Sequence, residues 1–290
     1  MKKVVCLLIA VGFLNLNPDS VMAQEQDLGI NPNSIRPIHE NDIMYKKRVW
    51  RRMDLKEKQN KGFFSVGNEI TKIIIEAVKR GLLYPYDPKN DSLNIRFTKE
   101  QFLERIRLPD EGGGLSEEEK ALGFSEDDGG WGDEGDGFGD AGPAEEVEEE
   151  VLEFLPSQIT TLEIMEDAIF DKKRSRLYYD IQSIKLIIPA GEFETGLIRP
   201  VAVFKFKDLV ELWKNMPGEA IWFNPQNSRE HRNLADAFDL RLFSSRIIKV
   251  ENPDDNFIVD VYSKSPKEGV MASQWYEDDL IQYEHDLWEF

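Results

Sequence analysis

Three histidines are the residues of this chain best suited to acid–base catalysis or metal binding. His39, His231 and His285 lie far apart, and none has a second ligand at a metal-binding spacing. The sequence also lacks a Gly-x-Ser-x-Gly elbow, a Gly-rich phosphate loop after a strand and a His-Glu-x-x-His pair. These features predict a protein that is not an enzyme and that has no cofactor and no catalytic or metal-binding residues.

The single cysteine, Cys6, lies inside an N-terminal export signal. Residues 2–14 combine a charged start with an apolar run, and Val21-Met22-Ala23 provides a cleavage site. The apolar run is too short for a membrane span, and Cys6 does not stand at a lipoprotein cleavage boundary. We therefore expect residues 1–23 to be a signal peptide and 24–32 a flexible N-terminus. The mature chain should be exported, without cysteine chemistry and without direct membrane insertion.

Carboxylates that could bind cations are concentrated in one segment. Residues 109–155 hold eighteen acids and one base, a net charge of −17 against −19 for the whole chain. An EF-hand loop counted from Asp127 or Asp133 would have Gly or Trp at its third and fifth positions, where ligands are needed. Such a Gly-rich, acidic composition cannot bury enough apolar surface to offset its ordering entropy. We predict a disordered insert that binds divalent cations only diffusely, if at all.

A basic stretch over residues 43–58 has the composition of a protein interface. Ile43, Val49, Trp50 and Met53 recur at near-helical spacing among lysines and arginines, which predicts a basic amphipathic helix. In an exported protein this is not a nucleic-acid signal. The helix is either a solvated face or a docking face, and arginine beside an aromatic residue is enriched at interfaces. The candidate docking residues are Arg48, Trp50, Arg51, Arg52 and Lys56.

A second candidate surface lies in the C-terminal residues 265–290. One face of a predicted amphipathic helix carries Tyr276, Leu280, Tyr283, Leu287 and Phe290. This helix either docks on its own domain or binds a partner through aromatic anchors. The candidate partner-binding residues are Trp275, Tyr283, Leu287, Trp288 and Phe290.

The remaining sequence predicts an α+β fold of two small mixed domains joined by the acidic insert. Residues 33–108 form a helical or α+β domain, with a helix after Asn68 and a capping box at Thr98-Lys99-Glu100-Gln101. Residues 156–264 form a strand-rich α+β domain, followed by the C-terminal helix of residues 265–290. The predicted extended segments are 93–97, 159–164, 177–188, 201–206, 241–250 and 257–262, and further helices are predicted at 208–213 and 228–238.

Several stretches of the chain are similar to one protein family. They are Ser34-Ile35-Arg36-Pro37-Ile38, residues 46–58, residues 166–175 and the terminal Glu284-His285-Asp286-Leu287-Trp288-Glu289-Phe290. Together they resemble the GldN family of gliding-motility proteins, called PorN in non-gliding relatives, over most of the mature chain outside the insert.

The resemblance implies a structural, periplasmic subunit of the type IX secretion and gliding-motility machinery. It implies self-association in a large ring and attachment to the outer membrane through a GldK- or PorK-like lipoprotein. Inner-membrane motor components of the machinery are further candidate partners.

A different class of function stays open. The five tryptophans outside the acidic insert could line a sugar site in a free periplasmic or surface glycan-binding protein or hydrolase; they are Trp50, Trp213, Trp222, Trp275 and Trp288. Size distinguishes the two classes, because a scaffold subunit purifies in a very large assembly and a free enzyme as a small species.

Overall fold

A computed structural model describes residues 29–108, 153–192 and 197–288. The predicted signal peptide, residues 109–152 of the predicted insert and Phe290 lie outside these ranges. No helix in the described ranges combines the length and apolar character that crossing a lipid bilayer requires.

Strands and helices both contribute to the fold, which confirms the predicted α+β class. The strands of the described chain are β1 Ile43–Asp54, β2 Phe64–Ser65, β3 Asn68–Glu69, β4 Thr161–Asp171, β5 Arg176–Ile188, β6 Arg199–Lys205, β7 Ile221–Trp222, β8 Arg232–Asn233 and β9 Arg246–Val250. The α-helices are α1 Ile70–Lys79, α2 Lys99–Ile106, α3 Phe206–Asn215, α4 Leu234–Asp239, α5 Ile258–Val261 and α6 Pro266–Asp286.

The long strands form one five-stranded sheet in the order β6–β5–β4–β1–β9. Strands β5 and β6 pair antiparallel with Ile184 opposite Phe204, and their register shifts between Leu186 and Ile187. Two short hairpins, β2–β3 and β7–β8, form separate two-stranded sheets. The strands β1, β4, β5 and β6 lie side by side in chain order. The last strand, β9, pairs with β1 and so forms the edge of the sheet opposite β6.

The chain divides into two compact units, each built from segments that are distant in sequence. Unit 1 consists of the described parts of Met1–Trp50, Met165–Gln182 and Ile247–Phe290. Unit 2 consists of the described parts of Arg51–Ile164 and Ser183–Arg246.

The helix α6 contributes to the apolar core of unit 1. Val49, Ile247, Ile258, Ala272 and Leu280 are buried together there. Partly buried tyrosines surround this cluster, namely Tyr45, Tyr179, Tyr262 and Tyr276. Ala272 and Leu280 recur on one side of α6, as the inward face of an amphipathic helix must.

The core of unit 2 is built largely from aromatic rings. Phe238 stacks on Trp213 with ring centroids 5.4 Å apart, and Phe63 lies 5.0 Å from the same phenyl ring. Gly62 lets this cluster close, because an ideal Cβ there would lie 2.4 Å from Nε1 of Trp222. The buried Asn60 ties two segments together: its Nδ2 donates to the carbonyl oxygens of Asp54 and Ser244.

The predicted basic helix over residues 43–58 is wrong, since residues 43–54 form the strand β1. Residues Val49, Arg51 and Met53 alternate as the buried positions of one strand face. Trp50 on the opposite face is also buried, so the apolar pattern fits a helix locally and a strand with two covered faces equally well. The pairing of β1 with two other strands decides the outcome.

Of the other predicted elements, one helix start and two strands are confirmed, and two predicted extended segments are not strands. The capping box at Thr98 and Gln101 is present and opens α2, and the extended segments 177–188 and 201–206 correspond to β5 and β6. The segment 257–262 is wrong as a strand, because it contains the short helix α5. The segment 93–97 contributes only a single bridge, from Arg96 to Tyr86.

The remaining corrections concern element boundaries. The N-cap of α1 is Glu69 rather than Asn68. The helix predicted over 228–238 is confined to α4, because the Asn233 side chain accepts a hydrogen bond from the N–H of Ala235 and caps the helix there. The predicted insert ends too late, since Phe154 is buried and its N–H donates to the carbonyl of Ile106.

Candidate interaction surfaces

The arginine at the centre of the predicted basic interface is held by an acid of its own sheet. In unit 1, Nε of Arg48 donates to Oδ1 of Asp167 at 2.8 Å, and Nη2 donates to Oδ2 at 3.3 Å. Nζ of Lys46 lies 3.1 Å from the same carboxylate, whose side chain is fully buried. A two-pronged guanidinium–carboxylate pair of this kind is strong and directional. The guanidinium of Arg48 therefore stabilises the sheet through its pair with Asp167.

Trp50, the aromatic member of the same candidate set, is buried. It is 7% exposed and packs on Met165 and Ile248. Nζ of Lys249 lies 4.2 Å from the centroid of its ring, a cation–π contact. Lys249 in turn pairs with Asp255. The indole therefore belongs to the core of unit 1.

The other three basic candidates lie in unit 2. Arg51 is buried, at 3% exposure. Arg52 and Lys56 each lie 3.9 Å from a carboxylate oxygen, of Glu163 and Glu192 respectively. Lys56 has the most exposed side chain of the three. Binding of a partner by these residues stays a prediction.

The C-terminal helix α6 begins and packs for clear local reasons. Ser265 caps it, because its Oγ accepts a hydrogen bond from the N–H of Glu268 at 3.2 Å. The ring of Tyr45 on β1 contacts that of Tyr283, with centroids 4.5 Å apart. Burial, together with Tyr283 and Asp279, raises the pKa of Tyr45 to about 12. The predicted aromatic stripe thus holds the helix against its own unit.

The predicted partner-binding residues of this helix divide by exposure. Trp275, Tyr283 and Trp288 are 54%, 43% and 63% exposed, whereas Leu287 is half-buried and Phe290 lies outside the described residues. The ring of Trp275 lies edge-on to Tyr262, at 6.4 Å. The structure therefore brings Trp275 to Tyr262, just after α5, and leaves about half of its surface in solvent.

Several exposed apolar residues that the apolar stripe of α6 does not include lie in the same part of the chain as these tryptophans. Of the twenty large apolar residues exposed in the described chain, nine lie within residues 257–288; they are Phe257, Val259, Val261, Val270, Met271, Trp275, Ile281, Tyr283 and Trp288. We call this set the α5–α6 surface. In the sequence, the only indication of this surface is a set of apolar residues that do not belong to the apolar helix face of Tyr276 and Leu280. A pattern with one amphipathic face does not account for them.

Two cavities of the described chain bear on the alternative of a tryptophan-lined sugar site. One, in unit 1, has a volume of about 150 Å³ and lies beside Tyr276 and Glu251. The other, in unit 2, has a volume of about 550 Å³ and lies between Tyr84, Arg96 and Asp208. Neither is lined by a tryptophan. Within the described residues, no group of three His, Cys, Asp or Glu side chains could hold a metal ion.

Comparison with known proteins gives one clear match. The sequence model of the family described as "Gliding motility associated protein GldN" matches residues 38–289. No curated protein matches the chain. The matched range includes the whole of the α5–α6 surface and, apart from residues 29–37 of unit 1, the described parts of both units. The chain therefore belongs to the GldN family, whose members are components of the gliding-motility and type IX secretion machinery.

Proposed function

We propose that this chain is a structural, non-enzymatic subunit of that machinery in the periplasm. It assembles with further copies of itself into a large ring and with an outer-membrane lipoprotein of the GldK or PorK kind, which holds it at the membrane. Family membership over residues 38–289 and the predicted signal peptide support this proposal.

The observation that carries the proposal is the α5–α6 surface. Scattered exposed apolar residues are normal on a monomer, but contiguous apolar patches mark sites of association. This surface joins neighbouring elements: an ideal Cβ at Gly269 on α6 would lie 3.6 Å from Cγ2 of Val259 on α5. Burying one large apolar side chain contributes roughly 1.5–3 kcal/mol. Association itself costs about 4–15 kcal/mol, so a stable contact between subunits must bury several of these residues together.

A pair of substitutions separates association from folding. Trp275→Ser with Trp288→Ser removes two exposed indoles, so we expect the isolated chain to melt almost unchanged and the large assembly to be lost. Leu280→Ala is the matched control, because Leu280 is 4% exposed in the core of unit 1. That variant should lose roughly 2–4 kcal/mol of folding stability.

The assay is co-purification of the membrane-extracted assembly, followed by electron microscopy, with thermal unfolding of each isolated variant. Assemblies of normal size and yield in the double tryptophan variant would contradict the proposed role of the surface. A wild-type chain that is found only as a small, free species would contradict the function itself.

A further inference from the structure

The α5–α6 surface is acidic as well as apolar. Residues 257–288 hold seven acids and two bases, a formal net charge of −5 with histidine neutral. Asp278 lies one helical turn after Trp275 on α6, and Asp286 lies two turns further on; both side chains are exposed. No ion pair engages Asp278 or Asp286 within the described chain. A partner of this surface must therefore offer positive charge, on side chains that can also pack against exposed apolar residues.

The same unit carries a surface of opposite charge, in the turn between β4 and β5. Residues 172–176 include four bases and no acid. These bases are all exposed; they are Lys172, Lys173, Arg174 and Arg176. No ion pair engages the side chains of Lys172 and Lys173 within the described chain. We call residues 172–176 the basic turn.

The basic turn is held in one shape by the buried acid that precedes it. Oδ1 of Asp171 accepts hydrogen bonds from the N–H groups of Lys173 and Arg174, at 2.8 and 3.3 Å. Its Oδ2 accepts one from Nη1 of Arg174 at 2.8 Å. Ser175 completes the turn in the left-handed region, with φ of 50°. A pre-formed turn loses little conformational entropy when it binds, so its charges are well placed for recognition.

The turn contacts α6 of its own copy at a different acid. The N–H of Leu177, just after the turn, donates to Oε1 of Glu284 at 3.1 Å. Asp278 lies six residues earlier, which is about 9 Å along the helix axis. The contact within one copy therefore uses Glu284, whereas Asp278 and its neighbouring apolar residues are left exposed.

We infer that the basic turn of one copy docks on the acidic α5–α6 surface of the next copy. This inference rests on the proposed function and specifies one of its contacts. Two different patches of the same chain meet head to tail, which is the type of contact that a closed ring requires. The opposite charges select partner and orientation. The aliphatic stems of the lysines and arginines of the turn pack on the exposed apolar residues, and their cationic ends contact the exposed indole rings.

Cysteine cross-linking in cells tests the contact directly. Cys6 is the only cysteine of the chain and lies in the predicted signal peptide. Any disulfide between mature copies must therefore involve the introduced cysteines. Two differently tagged copies, one with Lys173→Cys and one with Asp278→Cys, are co-expressed with the rest of the machinery. We expect a disulfide-linked species that contains both tags. Lys61→Cys, at an exposed lysine of unit 2, replaces Lys173→Cys in the control and should give none.

Charge exchange provides the second measurement. Lys172→Glu with Lys173→Glu should abolish the large assembly, and adding Asp278→Lys with Asp286→Lys to the same chain should restore it. Lys58→Glu with Lys61→Glu, at exposed lysines elsewhere, should leave the assembly intact. An assembly of normal size without the cross-link and without sensitivity to the reversals overturns the inference but leaves the proposed function standing. Absence of any large assembly from wild-type cells overturns the proposed function instead.

Discussion

Loss of the Arg48 side chain should destabilise unit 1 far more than loss of its neighbour Lys46. Both cations contact the carboxylate of Asp167, which is fully buried. Arg48 makes two hydrogen bonds to it, at 2.8 and 3.3 Å, whereas Lys46 approaches one oxygen at 3.1 Å. Arg48→Ala therefore leaves a buried carboxylate with a single partner, and Lys46→Ala leaves the two-pronged pair intact.

The size of the effect follows from burial. Removing one member of a fully buried ion pair costs about 3–5 kcal/mol. The side chains of Arg48 and Lys46 are 34% and 42% exposed, so solvent screens the site and Lys46 compensates in part. We expect Arg48→Ala to cost about 2 kcal/mol. Lys46→Ala should cost less than about 1 kcal/mol, as exposed pairs do.

The measurement is urea and thermal unfolding of the isolated exported chain. A loss of about 2 kcal/mol corresponds to a decrease in Tm of roughly 4–8 °C for a chain of this size. Arg48→Lys should fall between wild type and Arg48→Ala, because lysine keeps the charge and loses the planar fork. Equal effects of Arg48→Ala and Lys46→Ala would refute the geometric reasoning. Loss of assembly at temperatures where Arg48→Ala stays folded would show that Arg48 also docks on a partner.

Three further substitutions test other parts of the fold. Gly62→Ala should lower the free energy of unfolding by about 1–3 kcal/mol in denaturant titrations, because its Cβ would lie 2.4 Å from Nε1 of Trp222; Gly218→Ala, which meets open space, is the control. Asn60→Ala should cost about 3 kcal/mol in the same assay, because its buried amide satisfies backbone groups on two segments. Burial raises the pKa of Asp180 above 3.8 despite hydrogen bonds to its carboxylate, so the fold holds this proton more tightly than the unfolded chain does. Wild-type stability should therefore decrease relative to Asp180→Asn as pH rises from about 4 through the raised pKa; a pH-independent difference would contradict this.

Local sequence signals were sufficient where an element depends on its own residues. The capping box at Thr98 and Gln101 predicted the start of α2, because its hydrogen bonds close within one turn. The long run of β5, with its apolar and aromatic residues, and the amphipathic spacing of α6 were also predicted from the sequence. The family resemblance, carried by stretches such as residues 166–175, was also evident without coordinates, and the family match confirms it.

The prediction was wrong where the secondary structure depends on pairing with residues distant in sequence. The spacing of Val49, Trp50 and Met53 fits a helix, and only pairing with β4 and β9 makes residues 43–54 a strand. The same pairing places Asp167 beside Arg48, 119 residues away, and so gives a predicted docking charge an ion pair within its own sheet. No local pattern encodes that distance.

The sequence by itself determined the class of the fold and the concentration of acids in residues 109–155, because composition, capping and periodicity are properties of neighbouring residues. It also determined the family, through stretches similar to those of family members. Tertiary structure alone decided which apolar and charged side chains stay at the surface. Met44 and Trp50 are six residues apart on β1 and so belong to the same strand face, yet Trp50 is buried and Met44 is exposed. Exposure depends on which elements cover a residue, and here the covering strands and helices come from both ends of the chain.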